Sequence, residues 1–159
     1  MNTASKDAQE APAKRRRADP EIKWDYAARI SPGTYPGYAR SASVYRDGQF
    51  KRWVCAVQVD ILSADLVSRR ARLTWFLNLG DGEKPKASRR SNYWSEWVRA
   101  NGTPPVRRDR LAPKVFTRRY GQFTVADTTR TFNQAEVSPD TVYSVIRGVV
   151  RWESGRGGK

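Results

Sequence analysis

The chain has no histidine at all, and only one cysteine among 159 residues. The first absence removes the usual neutral-pH general base and the commonest metal ligand. A single Cys55 allows no intrachain disulfide and no cysteine-based zinc site. Because Cys55 lies in an alternating apolar run, it is expected as a buried thiol in a reducing compartment. Long apolar runs are missing too. Neither "MNTASKDAQEAPAKRRRADPE" nor any later stretch is long and apolar enough for a signal peptide or a bilayer span. A soluble, cytoplasmic protein with no membrane partner is expected. Glycine-rich phosphate motifs of the Walker or dinucleotide type are absent as well. "GDGE" (Gly80–Glu83) lacks the spaced acidic ligands of a calcium loop. No catalytic residue, metal site or cofactor is therefore assigned. The low-ranking enzymatic alternative is a metal-dependent nuclease using Asp60, Asp65, Asp81 or Glu83.

What is present is positive charge. Thirty lysines and arginines stand against 16 aspartates and glutamates, a formal charge of +14. A field of that sign suits a polyanion, nucleic acid first. The excess recurs in blocks: "KRRR" (Lys14–Arg17), "GDGEKPKASRR" (Gly80–Arg90), "RRDR" (Arg107–Arg110) and "TRRY" (Thr117–Tyr120).

The hydropathy pattern divides the chain into three. Residues 1–30 read as a disordered basic arm, 31–153 as one domain, and 154–159 as a flexible tail. Inside the domain, Asp47-Gly48 marks a hairpin turn. After it, Trp53, Cys55, Val57, Val59 and Ile61 alternate with residues of more polar surroundings, the period of a strand with one buried face. "ARLTWFLNLG" repeats the pattern with Ala71, Leu73, Trp75, Leu77 and Leu79. Ser91 caps a short helix that Asn101-Gly102 stops. Its Trp94 and Trp97 are expected in the core with Val98, and Tyr93 is left open. "KVFTRRYGQFTVADTT" reads as a strand. "TVYSVIRGVVRWE" reads as a final strand, although helix-like spacing competes. Strands, one short helix and strands again, without βαβ alternation, predict a mainly β fold. The best match is a small, partly open Greek-key barrel of the oligonucleotide-binding (OB) type, with one helix and disordered tails. An open antiparallel sheet packed by one helix is the alternative.

Alternation also predicts a functional face. With the apolar set inward, Phe50, Arg52, Val54, Gln58 and Asp60 point outward, as do Arg72, Thr74, Phe76 and Asn78. Rings beside arginines on an exposed sheet suit single-stranded nucleic acid, because bases stack on rings while cations hold phosphates. Candidate binding residues are Tyr45, Phe50, Arg52, Arg72 and Phe76 on the sheet. The basic loops add Lys84, Lys86, Arg89, Arg90, Arg107, Arg108, Arg118 and Arg119, with glycines letting the Gly80–Arg90 loop adapt.

The order of "LNLGDGEKPKASRRSNYWSEWVRANG", "PPVRRDRLAPKVF", "YGQFTV" and "VYSVIRGVVRWE" resembles small proteins of phages, plasmids and integrative elements. In layout it is similar to phage-type single-stranded DNA-binding proteins with an OB fold, over roughly Thr34 to Glu153. That resemblance implies DNA rather than RNA as ligand and support of replication or recombination of a mobile element. The basic "SGRGGK" differs from the acidic tail through which many such proteins recruit partners, so recruitment by that route is not expected. The competing expectation is an interaction subunit of a larger nucleoprotein complex that touches RNA or DNA only within the assembly.

Overall fold

The computed structural model describes residues 29–128 and 142–153. The alternating run "RWVCAVQVDIL" is strand β2 (Arg52–Leu62), and "RRARLTWFLN" is β3 (Arg69–Asn78). Both turn the predicted apolar set inward: Cys55, Val57, Val59 and Ile61 from one, Ala71, Leu73, Trp75 and Leu77 from the other. Burying this many β-branched and aromatic side chains on one side supplies most of the driving force for the sheet.

The organising element is β1 (Gly33–Asp47), fifteen residues long. Its first part pairs with β4 (Arg119–Asp127), from Gly33↔Val125 to Ala39↔Arg119. Its later part pairs with β2, from Gly37↔Ile61 to Asp47↔Arg52, with a bulge between Ala39 and Ser41. A bulge adds bend and twist, and here it lets one strand serve two partners. With β5 (Ser144–Trp152) beside β4, the antiparallel order is β3-β2-β1-β4-β5. The two edge strands β3 and β5 then come together. This is the five-stranded, partly open barrel expected of an OB-like fold. Two facing glycines, Gly37 and Gly121, keep it tight. A Cβ at Gly37 would fall 2.7 Å from the Phe123 ring.

Helix α1 (Asn92–Asn101) lies between β3 and β4 in sequence. Ser91 Oγ accepts from Trp94 N–H at 3.2 Å, and Gly102 closes the helix at φ 90° with its N–H on Val98 O at 2.7 Å. Tyr93 and Trp97 are the buried rings, while Trp94 is only half-buried. The expectation for Trp94 is thereby corrected. Tyr93 and Trp97, four residues apart, share the inward stripe, and Trp94 is turned to its side. Tyr93 meets the Phe116 ring edge-on at 5.6 Å, and Phe116 meets Trp75 edge-on at 5.6 Å. The helix is thus tied through rings to the centre of the barrel. Tyr93 Oη donates to Leu111 O at 2.6 Å and Trp97 Nε1 to Ala112 O at 3.1 Å. Both bonds hold the segment after the helix, which continues into a 3-10 turn at Pro113–Phe116.

The expected arm and tail lie outside the described residues, "KRRR" included, except for Arg29 and Ile30 of the arm. Those two are joined to the barrel. Arg29 forms a fork to both carboxylate oxygens of Asp127 at 3.1 Å, and Ile30 exchanges hydrogen bonds with the buried Ser144 hydroxyl. Among the described residues, no helix is long and apolar enough to cross a membrane.

Candidate nucleic-acid interface

Residues paired directly across an antiparallel ladder share a face, so register defines the outer surface. Four rows cross β1, β2 and β3: Tyr45–Val54–Asn78, Ser43–Ala56–Phe76, Ser41–Gln58–Thr74 and Tyr38–Asp60–Arg72. The middle of this face carries small or short side chains. Val54 and Ala56 are each 4% exposed, so the solvent-facing surface here belongs to the larger side chains and serines beside them. Phe76 is 59% exposed and Tyr45 is also exposed. Phe50 is 44% exposed but belongs to the β1–β2 turn rather than to β2. Arg52, half-buried, places its guanidinium carbon 4.9 Å from the Phe50 ring. The turn is fixed by Asp47, whose Oδ1 accepts from Gln49 N–H at 2.8 Å and Phe50 N–H at 3.2 Å.

At the opposite end of the face, Tyr38 and Tyr120 pair across β1 and β4 with ring centroids 4.8 Å apart. Beside them one carboxylate gathers three guanidinium groups. Asp60 is 2.8 Å from Arg72, 3.5 Å from Arg40 and 3.9 Å from Arg69. The cluster keeps a surplus of positive charge, and all three arginines are about half exposed. Arg72 is therefore held in place on the face rather than swinging freely. Tyr38, Tyr120, Arg40 and Arg69 are not among the residues predicted from the sequence. A signal for the tyrosines was available: each sits next to an inward glycine, Gly37 or Gly121, and alternation then points the neighbour outward.

The loop after β3 is more constrained than its glycines suggest. Gly82 O accepts from both Trp53 Nε1 and Arg46 Nη1 at 3.0 Å. Trp53 N–H donates to Gly80 O at 2.7 Å, and Lys86 N–H to Leu79 O at 2.8 Å. Lys84, Lys86, Arg89 and Arg90 all project from this fastened loop as exposed side chains. Arg89 lies 5.9 Å over the Trp94 ring. Arg107 and Arg108 are exposed on the segment before the 3-10 turn, and Arg107 pairs with Asp109 at 3.3 Å.

Arg118 and Arg119 separate. Arg118 is exposed at the entry to β4, in the left-handed region at φ 58°. Arg119 departs from the expectation of a surface cation. Its guanidinium donates to the carbonyls of Ala100 and Val115 and lies 4.9 Å from the Trp152 ring. It closes the helix and the 3-10 turn onto β5 and is spent on structure.

Among the described residues, no three acidic or cysteine side chains gather as a metal site. Asp60 is engaged by arginines. Asp65 caps the β2–β3 turn, accepting from Val67 N–H, Ser68 N–H and Ser68 Oγ at 2.9 Å. The bonds from Ser68 and Val67 hold its carboxyl below the usual aspartate range. No protein-family model matches the chain, and neither does any curated protein.

Proposed function

We propose that the protein is a non-enzymatic, cytoplasmic binder of single-stranded nucleic acid, DNA before RNA, serving replication or recombination of a mobile element. The observation that carries this reading is the outer face of β1, β2 and β3. It offers exposed rings at Tyr45 and Phe76 beside the short side chains of Ser41, Ser43 and Thr74, with cations at both ends. A base needs a flat ring, and a floor low enough to let it approach. Phe76 supplies the ring, and the exposed Ser41 and Ser43 leave room beside it. In a duplex the bases are stacked on each other and cannot reach such rings, so stacking favours unpaired strands. The preference for DNA rests on the resemblance in chain layout.

Phosphate attraction supplies the sequence-independent part of the affinity. It falls with salt, on a log–log slope of about −0.7 per phosphate neutralised on a single strand. The test is fluorescence anisotropy with labelled oligothymidylate, a duplex of equal length and an RNA oligomer, over a salt series. The single strand is expected to bind more tightly than the duplex. Phe76→Ala is expected to weaken it by about 1–3 kcal/mol, roughly 5- to 150-fold, without changing the melting temperature much. Equal affinity for duplex, or wild-type affinity in both Phe76→Ala and Tyr45→Ala, overturns the proposal.

A further inference from the structure

A concavity borders the sheet, with a volume of about 970 Å³. Its walls are the fastened loop that follows β3 and the segment from Pro105 to Pro113, and Trp94 stands on the helix side. The floor is apolar, with Leu79 and Leu111. Lys86, Arg89, Arg107 and Arg108 line it, against the single carboxylate of Asp109. That carboxylate already serves Arg107 and Arg110. Lys86, Arg89 and Arg108 form no ion pair among the described residues.

Trp94 is the informative residue. The helix is fastened by Tyr93 and Trp97, whose polar atoms are both hydrogen-bonded. Trp94 does neither job: it is half-buried in the wall of the concavity under Arg89. A large ring left partly open, next to unpaired cations, is the combination that stacks a base and holds its backbone. The concavity opens at the end of the sheet, on the inward side of the last outer row. Val44 and Leu79, which line it, are each one residue along from Tyr45 and Asn78, which share that row, so a strand leaving the row reaches it around the end of the sheet.

We infer that this concavity is a second nucleotide subsite. It takes the continuation of the same single strand, with a base on Trp94 and phosphates on the unpaired Lys86 and Arg108 and on Arg107, which leaves Asp109 to Arg110 on binding. The inference rests on the proposed function and adds a consequence to it: affinity depends on strand length in a way the outer face alone does not produce.

The test uses oligothymidylates of about 4 to 16 nucleotides, the range spanned by single OB folds. Wild type, Trp94→Ala, the double variant R107S/R108S and Phe76→Ala are compared, with melting temperatures as a check on folding. R107S/R108S changes only exposed side chains, so it serves where Trp94→Ala is destabilised. The cleft variants are expected to match wild type on the shortest oligomer that binds and to lose roughly 5-fold or more on the longest. The double variant is expected to flatten the long-oligomer salt slope by about 1.4, two phosphates' worth. Phe76→Ala loses affinity at every length. Cleft variants that behave as wild type on long oligomers, while Phe76→Ala loses, overturn the subsite and leave the sheet reading standing. A loss equal at all lengths also overturns it. Failure of every oligomer to bind sinks the reading on which it rests. Polyglutamate binding that the cleft variants abolish, with long-oligomer affinity unchanged, reassigns the concavity to protein and overturns the inference.

Discussion

Arg118 and Arg119 are adjacent, equally charged and put to opposite uses. One is exposed at the mouth of β4, while the other reaches inward to two carbonyls and a tryptophan ring. Neighbours on a strand point to opposite faces, so a basic doublet entering a strand cannot place both cations on the surface. The run "TRRY" is legible as charge but not as two separate roles, because the inward role depends on Ala100 and Val115, which arrive from elsewhere in the chain. Asp60 shows the same limit. Its position on the outer face follows from alternation, yet its three arginine partners come from β1 and β3. Cys55 was readable from the pattern alone and is fully buried. Burial pushes its thiol up to about 11, and a thiol rather than a thiolate is a poor nucleophile. A thiol-labelling reagent at pH 8 is therefore expected to leave Cys55 unmodified in the folded protein and to label it once denaturant passes the unfolding midpoint. Labelling of the native protein at the rate of a free cysteine would contradict that burial.

The elements were legible in proportion to how regular their periods are. β3 keeps its alternation in burial, while β2 keeps its inward set Cys55, Val57, Val59 and Ile61 but buries Val54, Ala56 and Leu62 as well. The helix announced its start and stop, Ser91 and Gly102, and both act as caps. β5 was ambiguous for a physical reason. The β4–β5 ladder has irregularities at Gln122/Phe123 and Thr124/Val125, and its inward residues Ile146, Val149 and Trp152 fall three apart, as on a helix. The length of β1 was not legible, since its two halves serve different partners and its outer face is polar. The docking of α1 onto β5 carries a pH signature. Arg99 bridges the two elements, donating to Glu96 Oε1 at 3.1 Å and to Val150 O at 2.7 Å. Burial raises the Glu96 carboxyl above the ordinary glutamate range, outweighing the pull of Arg99. A carboxyl that holds its proton more tightly when folded favours the folded state at low pH. That contribution is lost as pH rises from the unfolded value, about 4.3, through the raised folded value. The stability of wild type relative to Glu96→Gln is accordingly expected to fall over that window and to level off above it. Chemical denaturation of both proteins across pH 3.5 to about 7 reads this out, and a difference that rises with pH would contradict it.

At the scale of the whole molecule, the barrel explains why a chain with so much charge still presents an aromatic surface. One side of the strands faces the interior, where Trp75, Phe123 and Trp152 from β3, β4 and β5 meet one another, and Phe116 of the 3-10 turn meets Trp75 and Trp152. The other side of β1, β2 and β3 is left to Tyr38, Tyr45 and Phe76, with arginines around them. The inward–outward division and two of the rings, Tyr45 and Phe76, were readable from alternation. Alternation could also have placed Tyr38 and Tyr120 outward, but their pairing, the arginine cluster on Asp60 and the half-open Trp94 could not be read, because each is made by residues distant in sequence. The central claim is that an unpaired strand lies on this outer face. It is tested most directly by irradiating the protein, saturated with an oligodeoxynucleotide carrying 5-iodouracil, and mapping the adducts by mass spectrometry. Adducts are predicted on Tyr45 and Phe76 and none on the buried Phe116 and Phe123. Saturated complexes whose adducts spare Tyr45 and Phe76 and fall only on other surfaces would contradict the account.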